Sequence, residues 1–453
     1  MKISGLLLAG TLGSLLFGVG VAEARVDPAQ IARLGQDLTP LGAERAGNAS
    51  GTIPAWDGGL ARDANAYDAQ RGYKDPYADD QPLFTINAAN LAEHEAFLSA
   101  GQIAMMKRYS DSWRLNIYPS RRSASYPEKV YEAARANMTT AELLDNGNGI
   151  AGFSVANPFP MPSSALEVLW NHLLRYRGDS VKRSYAQAVP QPNGSYFMTR
   201  IEDYFLFNEH AGDYAQDNGN ILFYFRQSVL APARLAGTEL LVHETVNQVV
   251  EPRMSWVYAA GQRRVRRAPN VAYDSPGTAS DGMRTTDNFD MFSGAPDKYD
   301  WELIGKKELY IPYNSYRLAD RSNQYGDIVQ RGHVNPDLLR HELHRVWHVR
   351  ATLKDGLRHQ YKQRDMYFDE DSYHLVVVDH YDNRDTLWRV GESYTINFYD
   401  QPLVWTKGDA LYDLIGGRYV IGLLSNEEQP YQFDIDLSPT EFTPAQLRRE
   451  SRR

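Results

Sequence analysis

Apolar and polar residues alternate with a period of two over much of the chain after residue 195. The alternation recurs in about ten stretches, among them GNILFYFRQSVLAP, TELLVHETVN, ELHRVWHVRATL, SYHLVVVDHYD and TLWRVGESYTINFYD. The connections between them are short, such as Lys354-Asp355-Gly356. Period-two alternation is typical of strands with one buried face, and short connections join antiparallel neighbours. The pattern therefore predicts a large antiparallel sheet.

Before residue 180 the apolar residues have helical spacing, in NLAEHEAFLSAGQIAMMKRYSD, YPEKVYEAARAN and PSSALEVLWNHLLRYRG. Pro127 stands at a predicted first helical position, Ser164 and Glu167 have the spacing of a capping box, and Gly178 follows the last apolar residue. These features predict packing helices between about residues 88 and 178.

The chain begins with Lys2, an apolar run from Ile3 to Ala22 and the sequence Ala22-Glu23-Ala24. That order is typical of a secretory signal peptide cleaved after Ala24. An uncleaved membrane anchor is the alternative, because the run approaches the length that spans a bilayer. We therefore expect the mature protein to be exported and periplasmic.

Three segments follow from these patterns: the signal peptide at 1–24, an extended loop-rich segment at 25–81, and a single large β domain at 82–453. The middle segment is rich in Gly, Pro, Asp and Asn, so it must either wrap over the folded body or stay disordered.

Composition narrows the function. The chain has no cysteine, which excludes disulfides, cysteine nucleophiles and Cys-ligated zinc. A net charge of −9 without a basic tail argues against a nucleic-acid partner. The 29 tyrosines, 16 phenylalanines and 8 tryptophans favour strands and can line an apolar ligand site, although large β proteins pack many aromatics without binding anything.

The stretch HELHRVWHVRATL, His341 to Leu353, resembles a zinc-binding helix at first sight. Its first two histidines are one residue too close for that motif, and its β-branched residues favour a strand. On a strand, His344 and His348 share a face but lie about 13 Å apart, too far to share a metal. We predict a strand and no metal, unless His344 or His348 shares a metal with His341 or with a residue of another strand.

Two charged stretches are further candidates for binding a metal ion or an anionic group, and both have a simpler structural explanation. DMYFDEDSYH gathers Asp365, Asp369, Glu370 and Asp371 but lacks the glycine and terminal glutamate of a calcium loop, so a solvated turn is favoured. GQRRVRRAP puts Arg264 and Arg266 on one strand face, where they could hold a phosphate or carboxylate headgroup or simply pair with acids. We find no specific catalytic residues and expect no enzyme and no cofactor.

Several stretches taken together resemble one family. They include LTPLGAERAGNASGTIPAWDGG, LAPARLAGTELL, WVYAAGQRRVRRAPNVAYDSP, DNFDMFSGAPDKYDWELIGKKELYIPYNSYRL and the histidine stretch with its continuation. Over nearly the whole mature chain they are similar to a proteobacterial family of exported proteins of unknown function. That family is related to the Lol-type carriers, which shuttle outer-membrane lipoproteins across the periplasm.

The resemblance implies an α+β fold that is mostly antiparallel β, with a large curved half-barrel sheet, covering helices and an apolar cavity between them. It also suggests association with a resistance-nodulation-division type exporter and an outer-membrane protein. The inward aromatic candidates are Phe223, Phe225, Trp256, Tyr258, Trp347 and Trp388. Shifting any strand by one residue would exchange its faces, and side chains instead of ligand could fill the cavity.

The first hypothesis is therefore a periplasmic carrier or chaperone that binds a lipid, an acyl chain or a similar hydrophobic molecule. The second is a non-catalytic adaptor between an inner-membrane exporter and an outer-membrane protein. An enzyme acting on a hydrophobic substrate or using a histidine-bound metal is the third.

Overall fold

A computed structural model describes residues 27–450 except 64, 212–218, 260, 269–270 and 272, and without the side chains of His210 and Glu450. The predicted signal peptide, residues 1–24, lies outside the described residues. Among the helices that are described, none is long and apolar enough to span a bilayer.

Twenty strands are described, and most of the long ones lie after residue 180. They are β1 (Tyr67–Asp68), β2 (Gly72–Tyr73), β3 (Phe84–Ile86), β4 (Leu115–Tyr118), β5 (Glu142–Leu144), β6 (Gly149–Ala151), β7 (Ser180–Ala188), β8 (Met198–Phe207), β9 (Ile221–Ala231), β10 (Glu239–Thr245), β11 (Met254–Ala259), β12 (Arg264–Arg267), β13 (Tyr299–Pro312), β14 (His341–Leu353), β15 (Gln363–Asp369), β16 (Leu375–Tyr381), β17 (Leu387–Asn397), β18 (Val404–Asp413), β19 (Arg418–Leu424) and β20 (Gln432–Phe433).

The described α-helices are shorter and fewer. They are α1 (Pro28–Ile31), α2 (Ala100–Arg108), α3 (Glu128–Thr140), α4 (Ala165–Leu174), α5 (Tyr316–Ala319), α6 (Tyr325–Ile328) and α7 (Pro444–Glu450).

Sixteen of the described strands form one curved, unclosed sheet. Its order is β12-β11-β10-β9-β8-β7-β19-β18-β17-β16-β15-β14-β4-β3, with β13 beside β14 and β20 beside β7. Neighbours are antiparallel except β14 and β4, which are parallel. The predicted fold class, mostly antiparallel β with a large curved sheet and covering helices, is confirmed.

The helices begin where local sequence allows. Ser99 and Gln102 form a capping box at α2, so this helix starts ten residues later than its apolar pattern suggested, after two 3-10 turns. At α4, the Ser164 hydroxyl accepts the backbone N–H of Glu167, as predicted. The Glu167 carboxylate reaches Ser163 instead of closing the predicted box.

The two faces of the sheet have different covers. We call the face under α4 the inner face; there, Leu169 packs with Met366 and Phe368. The other, outer face is covered by α2 over β16 and β17, and by α7 over β10 to β12. Because both faces are covered, most strand residues are buried on both sides.

The described part of the loop-rich segment wraps over this body. Leu41 and Ala66 join the core that contains α3, and Ile53 joins a second core near α2. Arg122 binds the segment through the backbone oxygens of Glu44 and Arg45.

Candidate functional site

An irregular segment fills part of the inner face. It comprises residues 273–298, between β12 and β13, and apart from two short 3-10 turns it lacks regular structure. We call it the plug segment. Phe289 carries it into the sheet, with its ring 5.5 Å from that of Phe225 and 6.0 Å from that of Phe205.

A cavity of about 70 Å³ lies between the plug segment and the inner face of β9 and β10. Its apolar wall consists of Phe223, Phe225, Leu240, Val242, Val271 and Phe289. The β10 residues share a face with the β9 residues because Val242 pairs with Phe225 in the ladder. Period-two alternation thus brings aliphatic and aromatic side chains to one wall.

The rim of the cavity is polar. Glu244 and Arg253 form a buried ion pair with an Nε–Oε2 distance of 2.7 Å, and Arg253 also donates to the Val271 carbonyl. Burial raises the pKa of the Glu244 carboxyl, although Arg253 opposes this effect. Gln227 donates to the Tyr185 hydroxyl, while its buried Oε1 accepts no hydrogen bond from the described residues. A ligand that donates a hydrogen bond would find an acceptor there.

Asp290 anchors the plug segment through buried charges. Its carboxylate lies 2.6 Å from Arg175 and 2.7 Å from Arg177. Burial alone would raise the pKa of Asp290, but the two guanidinium groups outweigh it and hold that pKa well below its usual range. Asp290 and Met291 both have φ in the left-handed region, at 52° and 67°, which is unfavourable for residues with side chains.

Helix α4 holds the same stretch through His172. Its Nδ1 accepts the backbone N–H of Leu375, so Nε2 carries the proton and donates to the carbonyls of Asp290 and Phe292. Burial, with help from Arg175, lowers the pKa of His172 to about 3. The imidazole is therefore neutral at pH 7.

Two further ion pairs fasten the plug segment. Asp287 accepts from Arg364 at 2.6 Å and from His359 at 3.0 Å. Burial would raise the pKa of Asp287, but Arg364 and His359 together hold it well below its usual range. Arg284 pairs with Asp409 of β18 at 3.1 Å. The inner face is thus closed here by charges as well as by apolar contacts.

The structure brings two of the six predicted cavity residues to this cavity, namely Phe223 and Phe225. Trp256 pairs with Leu241, so it lies with Tyr258 on the outer face, packed near Phe442 of the C-terminal region. The prediction chose the wrong face for β11, because a shift of one residue in strand register exchanges the two faces.

The other two predicted aromatics, Trp347 and Trp388, do not line the cavity. Trp347 is on the inner face but packs beside α4, with Lys306 lying 4.6 Å from its ring centroid. Trp388 donates to Asp413 and lies under Arg389. Their predicted role as cavity lining does not follow from this geometry, and a ligand-binding role stays a prediction for all six residues.

Arg264 and Arg266 are exposed on the edge strand β12. Arg266 pairs with Val257, which pairs in turn with Leu240, so both arginines point to the cavity side of the sheet. Headgroup contact stays a prediction for them.

A second polar cluster lies on the outer face, around the histidine stretch. That stretch forms β14, as predicted. His344 Nε2 lies 3.0 Å from Glu342, and His344 Nδ1 lies 4.0 Å from Oδ1 of Asp369. Asp371 is near, in a bidentate pair with Arg122. Burial, and then the nearby Asp371, raise the pKa of Asp369 to about 6. Of the residues described, His344, Asp369 and Asp371 form the group that could hold a metal.

Sequence reasoning missed the plug segment as a functional element. Its residues show neither helical nor strand periodicity, so it looked like an ordinary loop. Its closely spaced charged anchors, the partly buried Arg284 and the buried Asp287 and Asp290, offered the one usable indication. These charges could not be recognised as buried ion pairs from the sequence, because their partner residues are distant along the chain and only the fold brings them together.

Comparisons with known proteins identify the family of this chain. The family described as "Protein of unknown function (DUF1329)" matches residues 85–448. A Pseudomonas aeruginosa protein named "Uncharacterized protein PA3922" is 54% identical over 453 residues, covering 99% of each chain.

Two solved structures are similar at lower identity. One is a DUF1329 family protein from Desulfovibrio piger, 16% identical, covering 60% of this chain and 92% of that one with a TM-score of 0.42. The other is a putative outer membrane lipoprotein-sorting protein domain from Vibrio parahaemolyticus, 13% identical, covering 63% and 98% with a TM-score of 0.44. The predicted resemblance to a family of unknown function is confirmed, and the chain belongs to the DUF1329 family.

Proposed function

We propose that this protein is a periplasmic carrier or chaperone that binds a hydrophobic ligand, such as a lipid or acyl chain, between its sheet and the plug segment. The observation that carries the proposal is the apolar wall formed by Phe223, Phe225, Leu240 and Val242 under Phe289. Apolar walls with a few polar groups at the rim are typical of sites for small hydrophobic molecules. The N-terminal pattern Ala22-Glu23-Ala24 supports a periplasmic location.

The proposed mechanism is burial, and it needs no catalytic residue. Each methylene removed from water contributes about 0.8 kcal/mol, so an acyl chain binds without further chemistry. The cavity of about 70 Å³ is far smaller than the roughly 300–1,000 Å³ of typical ligand pockets, so it admits only part of an acyl chain. Binding a whole acyl chain therefore requires the plug segment to shift.

The experiment measures binding of a fluorescent fatty acid to the purified mature chain and to Phe225→Asp. A buried carboxylate in the apolar wall should weaken binding at least tenfold, because it is desolvated without a partner. Leu230→Asp is the matched control, since Leu230 lies on the same strand and is 54% exposed. Its affinity should stay at the level of the natural chain.

Unchanged affinity in Phe223→Asp, Phe225→Asp and Val242→Asp would overturn the carrier proposal. Each variant needs a far-UV circular dichroism spectrum like that of the natural chain to count.

A second candidate is a non-catalytic adaptor between a resistance-nodulation-division type exporter and an outer-membrane protein. One observation favours it: charged and aromatic side chains such as Arg183, Asp203 and Trp405 fill much of the inner face. An empty protein that co-purifies with a membrane partner and ignores added fatty acids would favour this candidate over the carrier.

A further inference from the structure

The outer face holds a cluster whose geometry the carrier function does not use. His344, Asp369 and Asp371 are all buried, and one ligand atom from each lies within 4.8 Å of the others. His344 lies on β14, Asp369 is the last residue of β15 and Asp371 lies in the turn between β15 and β16, and the sheet brings these parts side by side. The cluster is on the opposite face from the plug segment, so it is independent of the cavity.

The tautomer of His344 is fixed by its neighbour. Glu342 is 0% exposed and accepts from Arg340, from the Asn314 amide and from the Arg121 backbone N–H. It acts as an acceptor toward His344 Nε2 as well, so Nε2 carries the proton. The lone pair of the imidazole is therefore on Nδ1. A carboxylate that holds the far nitrogen in this way is the usual support of a metal-binding histidine.

Asp369 turns a free oxygen toward that lone pair. Its Oδ2 accepts from Ser372 and from the Tyr313 hydroxyl. Its Oδ1, in a residue 0% exposed, has no hydrogen-bond partner among the residues that the structure describes. Nδ1 and Oδ1 thus face each other at 4.0 Å as two acceptors. That distance is too long for a hydrogen bond between them.

We propose that His344 Nδ1, Asp369 Oδ1 and a carboxylate oxygen of Asp371 bind a divalent metal ion, for which Zn²⁺ fits best. Imidazole with carboxylates suits zinc, whereas Ca²⁺ takes oxygen ligands. Metal–ligand bonds near 2.1 Å in a tetrahedral arrangement span about 3.4 Å between ligand atoms, so closing His344 Nδ1 on Asp369 Oδ1 by about half an ångström brings this pair to ligand spacing.

The ion would also have a structural consequence. Asp371 holds Arg122, which in turn binds the carbonyls of Glu44 and Arg45. Metal binding at Asp371 would therefore fasten the N-terminal segment to the sheet.

The test begins with elemental analysis of the untagged mature chain, purified without chelator. We expect about one zinc per chain, or one zinc taken up by chelator-treated protein with a rise in Tm of a few degrees. His344→Ala and Asp369→Asn should bind less than about a fifth of an equivalent, since each removes one of three ligands.

His348→Ala is the matched control. His348 lies four residues along the same strand, stacks on Tyr367 as His344 stacks on Tyr313, and its Nε2 also meets a carboxylate, that of Asp365. It should keep full zinc binding. Two results would overturn the proposal: natural protein that neither contains nor takes up Zn²⁺ or Mn²⁺, and equal loss of metal in the His348 variant. The first of these does not depend on any variant folding.

Discussion

Two regions of the inner face are closed in different ways. Under α4, Val168 and Leu169 pack against Met366, Phe368 and Val378, all apolar and buried. Under the plug segment, closure depends on buried ion pairs as well as on apolar contacts such as that of Phe289 with Phe225, and a cavity remains beside β9 and β10. The same face of one sheet therefore has an apolar, helix-packed half and a half that is closed by charged anchors together with apolar contacts.

The difference follows from backbone hydrogen bonding. Helix α4 satisfies its own backbone groups, so its surface can be apolar and pack closely. The irregular plug segment needs side-chain partners for its carbonyls and charged anchors for its position, as His172 and Arg175 provide. The plug side is thus the part of the inner face where displacement would open a site.

The largest effect is expected from Asp290→Ala. The variant leaves Arg175 and Arg177 buried without their carboxylate, and removing one partner of a buried pair costs about 3–5 kcal/mol. Urea unfolding followed by circular dichroism measures the loss.

Asp37→Ala is the matched control, because Asp37 pairs with Arg33 at the surface. It should lower the free energy of unfolding far less than Asp290→Ala does, because solvent screens an exposed ion pair. If both variants lost the same free energy of unfolding, the buried ion pairs of the plug segment would contribute no more to stability than a surface pair.

Leu169→Ala should cost about 3 kcal/mol, since it leaves a cavity in the apolar half. Its fatty-acid affinity should nevertheless equal that of the natural chain, because Leu169 lies away from the proposed site. If Leu169→Ala weakened fatty-acid binding as much as Phe225→Asp does, the two halves of the inner face would act as one unit, and the distinction between them would be wrong.

Acid should affect the plug half selectively. The depressed pKa of Asp290 stabilises the folded state above the unfolded pKa of about 3.9, and this contribution is lost as pH falls toward the folded value. The difference in unfolding free energy between natural protein and Asp290→Asn should therefore shrink between pH 6 and pH 3, by at most about 1.4 kcal/mol per pH unit. A difference that stays constant or grows would contradict the assigned direction.

The smallest effect is expected from Arg264→Gln combined with Arg266→Gln. Both side chains are exposed, so stability should change by less than about 0.5 kcal/mol. At low ionic strength the variant should bind an anionic fatty acid a few-fold more weakly than the natural chain, and this difference should vanish at high salt because exposed charges are screened. Unchanged binding at low salt would remove these arginines from the site.

The sequence predicts those strands of the sheet in which apolar residues recur at every second position. β14 is the clearest case, since its period-two pattern outweighed the zinc-like histidines and proved to be a strand. β7 and β18 escaped prediction because their inner positions carry buried charges, such as Arg183 and Asp409, that hide the alternation.

The candidate sites were less predictable for geometric reasons. Strand periodicity placed Phe223 and Phe225 on one face without deciding which face lines the cavity, whereas the plug residue Phe289 lies in a segment without periodicity. His344 and Asp369 each stood out in the sequence, but 25 positions separate them. Only the strand pairing and the return of the chain after β15 bring them together.

The carrier account is tested most directly by native mass spectrometry of the protein purified from its own periplasm, followed by lipid extraction. The account predicts a co-purifying hydrophobic ligand at close to one per chain, lost or strongly reduced in Phe225→Asp and kept in Leu230→Asp. Protein that is empty, and stays empty when fatty acids and phospholipids are added, would contradict it.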